Sequence, residues 1–113
     1  MTVTPVVLYT GGQLTTSAAT LFTSPANTKS LITDWSFVNT DAVARLLTVY
    51  VARSGGAASA ANVLLNAIPL AAGQTYRVTQ KPTLGPGDFI QAKADAGGVV
   101  TCPGISGFQV VGS

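Results

Sequence analysis

Period-two alternation runs through most of this chain and constrains its fold more than any other feature. In "SLITDWSFVN", Leu31, Thr33, Trp35 and Phe37 fall on one side of an extended backbone, and Ile32, Asp34, Ser36 and Val38 on the other. Aromatic and β-branched residues in that rhythm mark a strand. "ARLLTVYVAR" repeats the pattern, with Leu47, Val49 and Val51 on one face and Leu46, Thr48 and Tyr50 on the opposite one. The polar segment Asn39 to Ala42, "NTDA", lies between the two runs, and the arrangement predicts a hairpin.

Further strands follow from the same logic. "TPVVLYT" predicts an N-terminal strand, and its Pro5 suits an edge or an arm covering residues 1–10. "ATLFTSP" ends at Pro25, "QTYRVTQ" sets Tyr76 and Val78 against Arg77 and Thr79, and "GVVTC" and "ISGFQVVG" close the chain. "DFIQAKA" puts Ile90, Ala92 and Ala94 inward. Ala57 to Gly73 is rich in helix formers, but Pro69 would cut a helix short. The expectation there is a loop or short helical turn through Ala61, then a strand from Val63 to Leu70. The whole reads as one all-β domain over residues 1–113, a single antiparallel β-sandwich of about eight short strands, with the jelly roll as a candidate form.

Composition narrows the function classes. Of the 113 residues, 47% are hydrophobic but only 9% charged, against about a quarter in ordinary domains. Such a surface carries little charge repulsion and suits a subunit that works packed against others. The basic residues Lys29, Arg45, Arg53, Arg77, Lys81 and Lys93 are scattered, which argues against direct nucleic-acid binding, since that needs a concentrated positive footprint. Cys102 stands alone and the chain has no histidine, so a catalytic cysteine would lack its usual base. Cys102 reads as a small buried hydrophobe. No apolar stretch approaches the roughly 20 residues of a membrane span, and the N-terminus lacks signal-peptide character, so synthesis in a cytoplasm is expected.

"TLGPGDFIQAKA" poses the one question about chemistry. A phosphate cradle needs glycines leading into a helix, whereas here an alternating strand follows. Leu84-Gly85-Pro86-Gly87-Asp88 therefore reads as a type II turn, with Pro86 second, Gly87 at the positive φ, and the Asp88 carboxylate accepting backbone amides. The four carboxylates are Asp34, Asp41, Asp88 and Asp95. A glycosidase needs two of them facing each other. Three fall in predicted turns, where Asp serves local hydrogen bonding, and Asp34 is expected to meet solvent or an arginine such as Arg45. No calcium-loop spacing is present. The expectation is a protein that is not an enzyme and uses no metal or cofactor.

What remains is contact. Trp35 reads as core and Tyr50 as a surface aromatic able to stack on a sugar. The small-residue loop "RSGGAASAAN", Arg53 to Asn62, reads equally as a flexible loop or as a site of close subunit approach. The arm through Tyr9 could add a strand to a neighbouring sheet. Tyr9, Tyr50, Arg53, Gly55, Gly56 and Arg77 are the candidate partner contacts.

The blocks "FTSPANTKSLITDWSFVNTDAVAR", "LTVYVARSGGAASAAN", "PLAAGQTY" and "LGPGDFIQAKADAGGVVT…ISGFQV" together resemble small virion proteins of tailed bacteriophages, over about Leu21 to Val111. The chain has Phe22 where a tyrosine is expected, and Cys102-Pro103-Gly104 interrupts an expected continuous strand. The resemblance implies a β-sandwich that cements or decorates heads, or serves as a neck, tail or fibre module. It implies the major capsid protein or other virion proteins as partners, a homotrimer or homodimer, and a place in the virion, with no active-site residues to carry over. A carbohydrate-binding module using Tyr50, Tyr76 or Trp35 is the alternative from another class.

Overall fold

The computed structural model describes residues 2–59 and 61–111. Met1 of the expected arm, Ala60 of the 53–62 loop and the last two residues of the expected domain lie outside them. Among the described residues eleven strands form, in chain order β1 (Thr2–Tyr9), β2 (Gly12–Gln13), β3 (Ala19–Thr23), β4 (Thr28–Asn39), β5 (Arg45–Ala52), β6 (Val63–Leu70), β7 (Thr75–Arg77), β8 (Thr83–Leu84), β9 (Phe89–Ala94), β10 (Val100–Cys102) and β11 (Ile105–Val111). β6 covers Val63–Leu70 as expected, because Pro69 and the buried Leu65 and Leu70 suit an edge strand packed from one side.

Two antiparallel sheets pack together. One has the order β3-β9-β5-β6. The other is organised on β4, whose first half pairs with β11 and β8 and whose second half pairs with β10 and β7. β1 pairs with β11 and β2 with β10. β10 and β11 are thus two halves of one strand, broken at Pro103 and Gly104 where the sequence showed an interruption. β1 with β2 and β7 with β8 are likewise halves of single strands. Counted that way, the chain makes eight strands in two four-stranded sheets, ordered 1-8-3-6 and 2-7-4-5. That is the strand order of a jelly roll.

The breaks line up. Trp35 of β4 pairs with Ile105, the first residue of β11, and Ile105 also pairs with Tyr9, the last residue of β1. β7 and β8 part on the other side of β4 at the same level. In β4 itself the register slips there, with Ile32 opposite Gly107 and Asp34 opposite Ser106, leaving Thr33 as the extra residue. A bulge of this kind bends a strand and raises its twist, so a crease crosses the whole sheet.

Two expectations are corrected. β4 and β5 do not form a hairpin; they lie in different sheets, and the chain crosses the sandwich between Asn39 and Arg45. The crossing is held by Asn39, fully buried, whose Nδ2 donates to the carbonyls of Val43, Leu70 and Ala71 at 2.9, 3.1 and 3.1 Å. A polar stretch between two alternating runs serves an arch between sheets as well as a hairpin turn. Leu31 also does not share the face of Trp35. The bulge exchanges the faces, so Ser30 and Ile32 point inward before it and Trp35, Phe37 and Asn39 after it.

The core fills the space between the sheets with Leu14, Ile32, Trp35, Phe37, Leu47, Val49, Ile90, Val100 and Ile105, among others. Trp35 and Phe37 meet at a ring-centroid distance of 6.0 Å, and the Trp35 indole donates to the Gln80 carbonyl at 2.9 Å, which satisfies its one polar atom.

Candidate interaction surface

The "LGPGD" stretch is a turn. The Asp88 amide donates to the Gly85 carbonyl at 3.0 Å, and Gly87 has φ of +81°. The Asp88 carboxylate accepts the amides of Gly85 and Ser54, each at 2.9 Å, and the Arg53 guanidinium at 2.8 Å. Burial pushes this carboxyl up, but the bonds from Arg53, Ser54 and Gly85 outweigh it, and Asp88 sits below the usual carboxylate range. Asp88 thereby ties the loop after β5 to the turn before β9. It is consumed in structure and leaves no free base.

The expected contact residues divide between the two sheets. Arg53, Gly55 and Gly56 belong to that tied loop, where the Gly56 amide donates to the Arg53 carbonyl at 2.8 Å. Further along, the Asn62 side chain donates to the Ala57 carbonyl at 2.7 Å and accepts from the Ser59 amide at 3.0 Å, so the loop is closed by its own bonds. Tyr50 lies half-buried on β5 in the same sheet, with the Lys93 ammonium 6.0 Å from its ring centroid. That cation already occupies a position over the ring. An open depression of about 350 Å³ lies on this sheet among Leu46, Thr48, Lys93 and Asp95.

Tyr9 and Arg77 belong to the other sheet. Tyr9 packs against the core instead of standing free, and burial, with the neighbouring Cys102 adding to it, raises its phenol above the ordinary value. Arg77 donates to Asp34 at 3.1 Å, so Asp34 meets Arg77 and not Arg45, which pairs with Asp41. The β4–β7 pairing explains this: Arg77 lies opposite Ser36 on the strand that carries Asp34. Asp95 accepts the Leu46 amide at 3.2 Å. Each of the four carboxylates is therefore engaged by a neighbour. Among the described residues no group of three His, Cys, Asp or Glu side chains could hold a metal ion. Cys102 is buried, as expected, and burial pushes its thiol up to about 11.

One surface is assembled only by strand pairing. Residues directly opposite in an antiparallel pair share a face, so Pro5, Phe108 and Leu31 form one row across β1, β11 and β4 on the outside of the sandwich. Phe108 is 39% exposed, and Val7, two residues along β1 from Pro5 and opposite Ser106, is 61% exposed on the same face, with Val110 alongside. Lys29, opposite Val110, borders the row on one side. On the other, an open depression of about 280 Å³ lies among Thr33, Asp34, Arg77, Thr79 and Lys81. The alternation of "ISGFQVV" could have put Phe108 outside, since it is out of phase with Ile105. Only the pairing shows that Pro5 and Leu31 lie beside it.

No protein-family model and no curated protein sequence matches the chain. Among solved structures it is similar in fold to a chain in the structure of infectious bursal disease virus, Gx strain, with a TM-score of 0.57 and 12% sequence identity. The match covers 99% of this chain and 33% of that one, so the chain spans about a third of the length of its structural neighbour. At that identity the likeness is one of fold, and it extends over nearly the whole of this chain and part of a longer one.

Proposed function

We propose that this protein is a structural component of a virus particle, and more specifically a head cement or decoration protein of a tailed bacteriophage that bridges neighbouring capsid subunits. The observation that carries the reading is the fold likeness to a chain of a virus structure over nearly the full length of this one. Fold alone does not fix function, and jelly rolls also occur in lectins. The further support comes from the chain itself: low charge, carboxylates each engaged by another group of the protein, and an exposed apolar row on one sheet. On this reading the protein acts without catalysis, by adding buried area at subunit junctions. Contacts of about 800 Å² per partner are ordinary for specific binding, and many copies multiply a modest contact. A homodimer or homotrimer, and service as a neck, tail or fibre module, belong to the same reading.

The test is binding of the purified protein to parent phage heads stripped of accessory proteins, with bound copies counted after sedimentation. Hundreds of saturable copies per particle are expected for a cement role. A handful would move the protein to the neck or tail. No binding would overturn the virion role and favour the glycan-binding alternative, for which saturable sugar binding lost in Tyr50→Ala is the signature.

A further inference from the structure

The charged residues can be followed one by one. Three arginines pair with three aspartates: Arg45 with Asp41, Arg53 with Asp88, and Arg77 with Asp34. The net charge of +2 therefore resides on Lys29, Lys81 and Lys93 against Asp95, and none of these four makes an ion pair among the described residues. Lys93 lies over Tyr50 on one sheet, and Asp95 is bonded to the Leu46 amide beside it. Lys29 on β4 borders the apolar row of Pro5, Leu31 and Phe108 on one side, and Lys81, in the link between β7 and β8, lines the depression with Thr33 and Asp34 on the other.

A contiguous apolar row with a polar rim is the usual anatomy of a protein contact. The row crosses three strands, about 10 Å from Pro5 to Leu31 at ordinary strand spacing. The β4 bulge adds to it, because it sets Thr33 and Asp34 side by side at the rim where a regular strand would turn one of them inward. Bulges are often found where a strand must re-aim a side chain.

The rim also narrows the choice of occupant. A second copy docking the same face by a two-fold axis would bring its own Lys29 and Lys81 toward these, while the rim carboxylate Asp34 is already paired with Arg77 and Asp95 lies on the other sheet. Like charges brought together cost affinity and select against such a partner. We infer that the outer face of β1, β11 and β4 is the docking surface for a different protein, one presenting an apolar ridge rimmed by carboxylates. The inference rests on the virion reading, in which that protein is a neighbouring subunit of the particle.

The experiment uses parent particles stripped of this protein, titrated with the full chain in low and high salt. Phe108→Asp and the double variant Lys29→Glu/Lys81→Glu are expected to lower affinity by about tenfold or more, with the unaltered protein's binding weakened by salt. Tyr50→Ser, on the opposite sheet, is expected to bind normally. Thermal unfolding of each variant keeps a folding failure from passing as a binding loss, and Val7→Asp serves as a second probe should Phe108→Asp unfold. If Phe108→Asp and Val7→Asp bind normally while Tyr50→Ser does not, the docking surface is wrong and the virion role stands. If the purified protein alone forms a dimer that Phe108→Asp dissolves, the occupant is a second copy and the inference is overturned. If the unaltered protein binds no particle, the virion role and the partner inferred from it fall together.

Discussion

Gly107 lies directly across from Ile32, at the point where β11 meets the bulge of β4, and a Cβ on Gly107 would run into the Leu31 carbonyl oxygen. The obstacle is backbone on a central strand, which cannot swing aside as a side chain could. Gly107→Ala is expected to destabilise the protein by more than about 2 kcal/mol, read from urea unfolding. Unchanged stability would mean that the two strands do not approach so closely.

A second glycine is constrained twice. Gly87 has positive φ, and a Cβ there would also lie 2.6 Å from the Ser54 hydroxyl and 2.9 Å from its Cβ. Gly73 shares the positive φ but faces open space. Gly87→Val is expected to cost about 1–3 kcal/mol. In the matched alanine pair, Gly87→Ala should lower the melting temperature more than Gly73→Ala, and equal losses would mean that backbone strain alone accounts for both.

The arch between the sheets depends on one amide. Asn39→Leu would leave the carbonyls of Val43, Leu70 and Ala71 without their shared donor. Three acceptors and one buried site give an expected loss of about 2–4 kcal/mol in chemical unfolding. A variant as stable as the parent would show that water replaces the amide.

Acid should loosen the tie between the loop after β5 and the turn before β9. Asp88 and Asp41 both titrate below their ordinary carboxylate values in the folded protein. A carboxyl with a depressed folded value contributes stability that is complete above the unfolded value, about 3.9, and is lost as pH falls through the folded one. Stability should therefore hold from neutral pH to about 4 and decline below it. Asp88→Asn should flatten that decline, and an unaltered acid limb would mean that other carboxyls govern it.

Cys102, with its thiol pushed up to about 11, is almost wholly protonated at neutral pH. Since the thiolate is the reactive form, a water-soluble disulfide reagent should label the native protein slowly and the urea-unfolded protein at once. Fast native labelling would show that the strand carrying Cys102 opens readily.

Local chemistry was enough to identify most of the strands, their inward positions along "DFIQAKA", the turn at Gly85 to Asp88, the core placement of Trp35 and the buried state of Cys102. These follow from side-chain periodicity and from turn residues, which act between neighbours in the chain. The partner of each strand was decided elsewhere. An alternating segment has two faces but carries no mark of the sheet it will join, so "SLITDWSFVN" and "ARLLTVYVAR" read as a hairpin although buried Asn39 carries the chain across the sandwich between them. The exchange of faces at Thr33 lies where β11 comes so close to Leu31 that only a glycine fits, and that glycine, Gly107, is 76 residues further on. The pairing of Asp34 with Arg77, and the gathering of Pro5, Leu31 and Phe108 into one row, likewise depend on residues distant in sequence being brought together by the sheet. Periodicity acts over two residues; pairing and packing act over the whole chain, and the outer surface of this protein is set by the second.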